Sequence, residues 1–174
     1  PVGVTSIGDS AFSGCVGLTL KKLPDGLTSI GASAFLDCTG LTSIHVPDGV
    51  KSIGDYAFES AFKIKSLNLP EGLTYIGEEA FESSGITELV IPKSLETFWG
   101  WTFNCCFHLQ SITFLGDAPE IEIYSYESYD GSIEYRDFPN NTEFTVYINE
   151  GAKGFNGDFW DRCNIVFIKN EEGK

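Results

Sequence analysis

Methionine is missing altogether from the 174 residues, and histidine occurs only twice. Without an initiator residue, the chain is expected to be a mature or excised piece of a longer product. No signal peptide is visible. Basic residues are scarce: 11 Lys and Arg face 25 Asp and Glu, a net charge of −14. That balance argues against nucleic acid as a partner, because binding phosphates needs clustered Lys and Arg. It suits a well-solvated surface or one that steers a basic partner. No apolar run is long enough to span a membrane. The five cysteines are odd in number, so no complete intrachain disulfide framework exists. None has the paired C-x₂-C spacing of a zinc site, and no ordered acidic loop of a calcium site is present. No cofactor is implied.

What the chain has in abundance is one phrase. "IGDSAFSGC" (7–15) returns as "IGASAFLDC" (30–38), "IGDYAFESA" (53–61) and "IGEEAFESS" (76–84). Ala11, Ala34, Ala57 and Ala80 keep a step of 23 residues, as do Phe12, Phe35, Phe58 and Phe81, with Phe103 following after 22. Prolines frame five units: 1–23, 24–46, 47–69, 70–91 and 92–114, the fourth one residue short. Such a unit cannot bury its own Leu, Ile and Phe, and only stacking on its neighbours gives a continuous core. The pattern predicts a solenoid, rich in β-structure, of short stacked parallel strands. Each coil should carry two extended segments, as in "LTSIG" (27–31) and "LTSIHV" (41–46). In the second, Ile44 and Val46 point inward while Ser43 and His45 point outward. The "xxAF" stretch is expected to form a short helical or 3₁₀ turn.

The consensus P-x-G-[LV]-T-x-I-G-x-x-A-F-x-x-C-x-x-L-T-x-I-x-[LV] resembles the BspA-like leucine-rich repeat family, in its 23-residue subtype. The likeness covers residues 1–115. Residues 116–174, from "FLGDAPEI" (114–121) through "TVYINEGAKGF" (145–155), resemble the C-terminal cap that such proteins often carry, with an acidic Tyr-rich insertion. The resemblance implies a bacterial, secreted or cell-surface protein that adheres to host proteins or other cells. Strand alternation at Phe144, Val146 and Ile148, and the apolar run "CNIVFI" (163–168), predict that 144–148 and 164–168 continue the sheet or close the core of the fifth coil. Phe159 and Trp160 are expected beneath. The stretch 117–143 carries no repeat signal and reads as a long exposed loop.

Apparent catalytic motifs dissolve into the repeat. "GDS" (8–10) becomes "GAS", "GDY" and "GEE" down its column. "GLTSIG" (26–31) and "GLTYIG" (72–77) have the outer glycines of a phosphate loop but lack the following Lys-Ser or Lys-Thr. His45 and His108 come with no nucleophile and no orienting partner. No catalytic, cofactor or metal residue is assigned, and the chain is read as non-enzymatic. Cys15, Cys38 and Cys106 share a column with Ala61 and Ser84, which predicts a tight inward position filled by inert thiols.

In a solenoid, the drifting positions face the partner. The outward strand residues supply the candidates Lys22, Ser43, His45, Ser66, Asn68, Glu88, Val90, Ser111 and Thr113. A second group is aromatic: Trp99 and Trp101 in "FWGWTF" (98–103), and Tyr124, Tyr126 and Tyr129 in "YSYESYDGSIEY" (124–135). Tyr and Trp are enriched in binding surfaces, but the favoured reading is that these rings cover the last coil. "NNT" (140–142) would accept a glycan in a eukaryotic source. The expected function is adhesion or binding to a protein on a host or neighbouring cell. The alternatives are a glycan-binding module using the Trp and Tyr rings, and a spacer displaying another domain.

Overall fold

The computed structural model describes residues 3–20, 22–122, 125–127, 133–135, 144–157 and 160–169. The strands, in chain order, are β1 (Ser6–Ile7), β2 (Ser29–Ile30), β3 (Ser43–His45), β4 (Ser52–Ile53), β5 (Ser66–Asn68), β6 (Tyr75–Ile76), β7 (Glu88–Ile91) and β8 (Thr97–Trp99). They continue with β9 (Ser111–Phe114), β10 (Glu120–Glu122), β11 (Ser125–Glu127), β12 (Ile133–Tyr135), β13 (Thr145–Asn149) and β14 (Asn164–Ile168). The chain winds as a β-solenoid. A six-stranded parallel sheet runs β1-β2-β4-β6-β8-β10 along one side. The second side carries two parallel ladders, β3-β5 and β7-β9-β13-β14. They are separated where the fourth coil is a residue short.

The sequence columns become ladders because parallel pairing sets Ser29 against Ser52 and Ile30 against Ile53, and likewise along the sheet. In the first four coils the first-sheet strands are two residues long because glycine follows each Ile. A Cβ on Gly54 would stand 2.6 Å from the backbone nitrogen of Ala32. Only a residue without a side chain lets the coils approach there.

The "xxAF" segments are not helical, which corrects the expectation from sequence. Ser10, Ser33, Tyr56 and Glu79 take φ between 49° and 58°, and Asp37, Ser60, Ser83 and Cys105 take φ between 53° and 60°. Two left-handed residues in each of the first four coils, with Gly14 (φ 71°) as the second in the first coil, and Cys105 in the fifth, break any helix. They also turn alternate N–H groups out of the coil. Phe35 N–H donates to Ala57 C=O at 2.8 Å, and Phe58 N–H to Ala80 C=O at 2.8 Å. The intervening N–H groups bond within their own coil, as Cys38 N–H does to Phe35 C=O. The turns therefore stack as a third ladder. Among the described residues, 3₁₀ geometry occurs at Trp160–Arg162.

Phe12, Phe35, Phe58, Phe81 and Phe103 form a file of near-parallel rings, with centroids 5.2–5.8 Å apart. Phe35, Phe58 and Phe81 are wholly buried, while Phe12 in the first coil is half-buried. Full burial of such a ring contributes ~1.5–3 kcal/mol. The small column packs beside it. The Cys38 thiol donates to Phe12 C=O at 3.0 Å, and the Cys106 thiol to Phe81 C=O at 3.0 Å. Ala, Ser and Cys interchange there because the space admits one small atom, with or without a donor. Burial raises the Cys38 thiol, and pushes that of Cys106 up to about 11. Cys15 departs from the expected inward position: on the first coil of the stack it is exposed.

The C-terminal strands extend the stack as expected. β13 pairs in register with β9, so Val146 and Ile148 line up with Ile112 and Phe114 and are fully buried. β14 lies one strand further out, on β13 rather than on the fifth coil. Phe114, Phe155 and Trp160 meet edge to face at 4.7–5.3 Å and close this end of the core. Phe159 lies outside the described residues. The stretch expected to be a long loop contains structure. β10 pairs with β8 in the 23-residue register, setting Ile121 against Phe98, and β11 and β12 form an antiparallel pair.

Replacing Phe58 by Ala is expected to destabilise the protein by ~3–5 kcal/mol, through lost transfer energy plus a cavity. Phe12→Ala should cost clearly less. Equal losses in urea denaturation would contradict the stacked file. In the native protein, a maleimide should label Cys15 rapidly and reach Cys38 and Cys106 only after unfolding. Mass spectrometry showing Cys38 labelled as fast as Cys15 would refute the burial assigned to that column.

Candidate functional site

The outer face of the second side is built by strand alternation alone. On each strand one residue enters the core and its neighbours point away, as the pattern exposed-buried-exposed over Ser66–Asn68 shows. Ladder register then lines up the outward residues in two columns. One holds Ser43 and Ser66, then Glu88, Ser111, Thr145 and Asn164. The other holds His45 and Asn68, then Val90, Thr113, Tyr147 and Val166. Lys22 joins by a parallel bridge to His45. The structure thus gathers Lys22, Ser43, His45, Ser66, Asn68, Glu88, Val90, Ser111 and Thr113 on one surface.

Sequence reading missed the extension of this surface over β13 and β14. Tyr147 is a half-buried aromatic within the second column, which the strand residues of the five coils lack. Its outward alternation was visible; what was not visible was that β13 would follow β9 in register. Polar contacts on the face are local. Lys22 Nζ meets Asp25 Oδ1 at 2.8 Å with both side chains exposed, and this partner holds the Asp25 carboxyl below its ordinary value. Asn68 Nδ2 lies 3.5 Å from His45 Nδ1. Asn164 Nδ2 donates to Thr145 Oγ1 at 3.0 Å. Val90 is 50% exposed, a large apolar side chain among small polar ones.

Trp99 and Trp101 lie elsewhere, on the first sheet and its following turn. Trp99 takes the column that glycine holds in the four preceding coils. Its Nε1–H donates to Tyr75 Oη at 3.1 Å, and Tyr75 Oη lies 3.5 Å from Asp55 Oδ1, which also accepts Glu78 N–H at 2.9 Å. Both tryptophans are half-buried. Tyr126 stands in β11. Tyr124, Tyr129 and the "NNT" triplet lie outside the described residues.

The stacked turns carry an acidic ridge. Burial raises Glu59, helped by Glu82 and Asp37. Glu79 is pushed up to about 8, first by burial, then by its hydrogen bond to Glu82 and by the charges of Glu82, Glu78 and Glu59. Burial and the adjacent carboxylates push the Tyr56 phenol up to about 12. Among the described residues no group of three His, Cys, Asp or Glu is arranged to hold a metal ion. No helix there is long and apolar enough to cross a membrane.

A family model described as BspA type Leucine rich repeat region matches residues 5–134, in six copies. A leucine-rich repeat protein from Bacteroides ovatus ATCC 8483 superposes with a TM-score of 0.70 at 26% identity, over 99% of this chain and 44% of that one. The T. pallidum Leucine Rich Repeat protein gives a TM-score of 0.63 at 25% identity, over 92% of this chain and 73% of that one. The chain thus spans less than half the length of the Bacteroides protein. No curated protein matches it.

The carboxylate ridge gives stability a pH dependence. A raised carboxyl keeps its proton in the folded state after the unfolded chain has lost it. Its stabilising contribution is therefore full below its ordinary value of about 4.5 and is lost as pH rises towards about 8. Glu79→Gln should accordingly gain on the parent between pH 5 and pH 8 in thermal melts. A constant difference across that range would show that Glu79 is not the group responsible.

Proposed function

We propose, from the premise that the chain belongs to the BspA-type leucine-rich repeat family, that it is a protein-binding segment of a secreted or cell-surface protein. Scaffolds of this family and fold typically bind through a surface and are not enzymes. The observation that carries the reading is the two-column outer face of the second side. It runs from Lys22 to Val166, it is built from the positions that vary between coils, and Val90 and Tyr147 give it apolar area at its centre. Interfaces draw their energy from a few large side chains amid neutral complementarity. Here these would be Tyr147 and Val90, flanked by Thr113 and Glu88.

The glycan reading leans on exposed rings that stack on sugars. The indole N–H of Trp99 is already committed to Tyr75, which favours a structural role for that ring on the first sheet. The division into repeats over 1–115 and a cap over 116–174 is kept as a proposal. In it, β13 and β14 serve both as closure and as part of the binding face.

The test is capture of surface proteins by the immobilised chain, with a glycan array run on the same sample. Val90→Asp with Tyr147→Ala should abolish protein capture without lowering the melting temperature by more than a few degrees. Retained capture, or a signal on the glycan array alone, would overturn the assignment.

A further inference from the structure

The fourth coil is short by one residue, and the shortening leaves a gap in the column of turn residues along the edge of the stack. In the first, second, third and fifth coils a two-residue turn joins the small column to the next strand: Val16–Gly17, Thr39–Gly40, Phe62–Lys63 and Phe107–His108. In the fourth coil Ser84 runs through Gly85 directly to Ile86 with no turn. Gly85 is buried, and a Cβ there would collide with the carbonyl of Phe62. The chain thus tucks beneath the third coil's turn, and only glycine fits.

On either side of this gap stand Phe62, 54% exposed, and Phe107, 70% exposed, two of the largest apolar side chains facing solvent among the described residues. In-register parallel pairing sets a step of ~4.8 Å per coil, so equivalent points of the third and fifth coils lie roughly 10 Å apart. A flat ring held between two others needs ~7–8 Å between the outer pair. Exposed phenylalanines close the difference by choice of rotamer. Two lysines stand at the rim, although the protein is acidic. Lys63 and Lys65 are exposed and in no ion pair among the described residues, and His108 adjoins Phe107. At physiological salt charges are screened beyond ~8 Å, so docking there is set by these lysines together with Glu59 and Glu82 on the adjoining turns and not by the net charge of the chain.

We propose that the gap at Gly85 is a clamp for a single aromatic side chain of a protein partner, seated between Phe62 and Phe107, with acidic neighbours of that side chain meeting Lys63 and Lys65. The site lies on the turn edge of the stack. It is separate from the outer face described above and does not depend on that face being the principal interface.

The probe is the end-capped pentapeptide Asp-Glu-Trp-Glu-Asp, titrated into the ¹⁵N-labelled chain. Amide shifts should concentrate at 62–65, 85–86 and 107–108. Replacing the Trp of the probe by Ala should weaken binding at least ten-fold, and Phe62→Ala with Phe107→Ala should remove it. Val90→Asp should leave it unchanged, which keeps this result apart from that of the capture experiment. Both rings are exposed, so the double variant should melt with the parent. If it unfolds, Lys63→Glu with Lys65→Glu decides instead, with a ten-fold loss expected. The proposal is overturned by no shifts at millimolar probe, by shifts on the outer face instead, by equal binding of the Ala probe, or by undiminished binding to a folded variant.

Discussion

The bond from Phe35 N–H to the carbonyl of Ala57, repeated with small changes along the stack, is the contact on which the rest of this structure depends. It fixes the step from coil to coil at about one strand spacing. At that step like residues lie on like. Rings stack at 5.2–5.8 Å, glycines meet backbone, and the small column admits only Ala, Ser or Cys. The bond in turn requires left-handed residues at Ser33 and its equivalents, each at a cost of ~1–2 kcal/mol for a side chain other than glycine. Ladder formation and ring burial must offset that cost in every coil, which is why no coil stands alone.

Three surfaces follow from this frame, and they differ in how much of their chemistry is already used. The first sheet commits its hydroxyls and rings to neighbours: Thr28 and Thr74 bond to the preceding coil, and Trp99 and Tyr75 to each other. The stacked turns raise the Glu79 carboxyl, first by burial and then by the neighbouring carboxylates. The second side leaves His45, Asn68 and Val90 facing water. The recognition proposed above rests on this last surface, whose side chains are least consumed in holding the coil.

Much of this was legible in the repeat itself. Columns of Phe, Ala and Gly report packing demands that recur every coil, so Phe35, Phe58 and the inward Ile44 could be placed from spacing alone. What escaped was whatever the period does not encode. The turn conformation escaped because "xxAF" is compatible with a helix until one asks where its N–H groups go. Exposure of Cys15 escaped because a column records an environment shared by the interior and says nothing of its ends. β10 escaped because Ala118, Pro119 and Glu120 do not spell the consensus, although Ile121 falls 23 residues after Phe98. Tyr147 escaped for a related reason: its outward direction was plain, but its column depended on β13 following β9.

The coil-to-coil bonds all point along the axis of the stack, and this governs how the chain answers a pull at its ends. Tension applied along that axis passes through every interface in series, and because each coil touches only its neighbours, one interface can give way without breaking the others. Coils then unravel singly. Each that unravels releases up to roughly 75–80 Å of extended chain. A stack of this construction lengthens in steps under force while the coils still folded keep their surfaces intact.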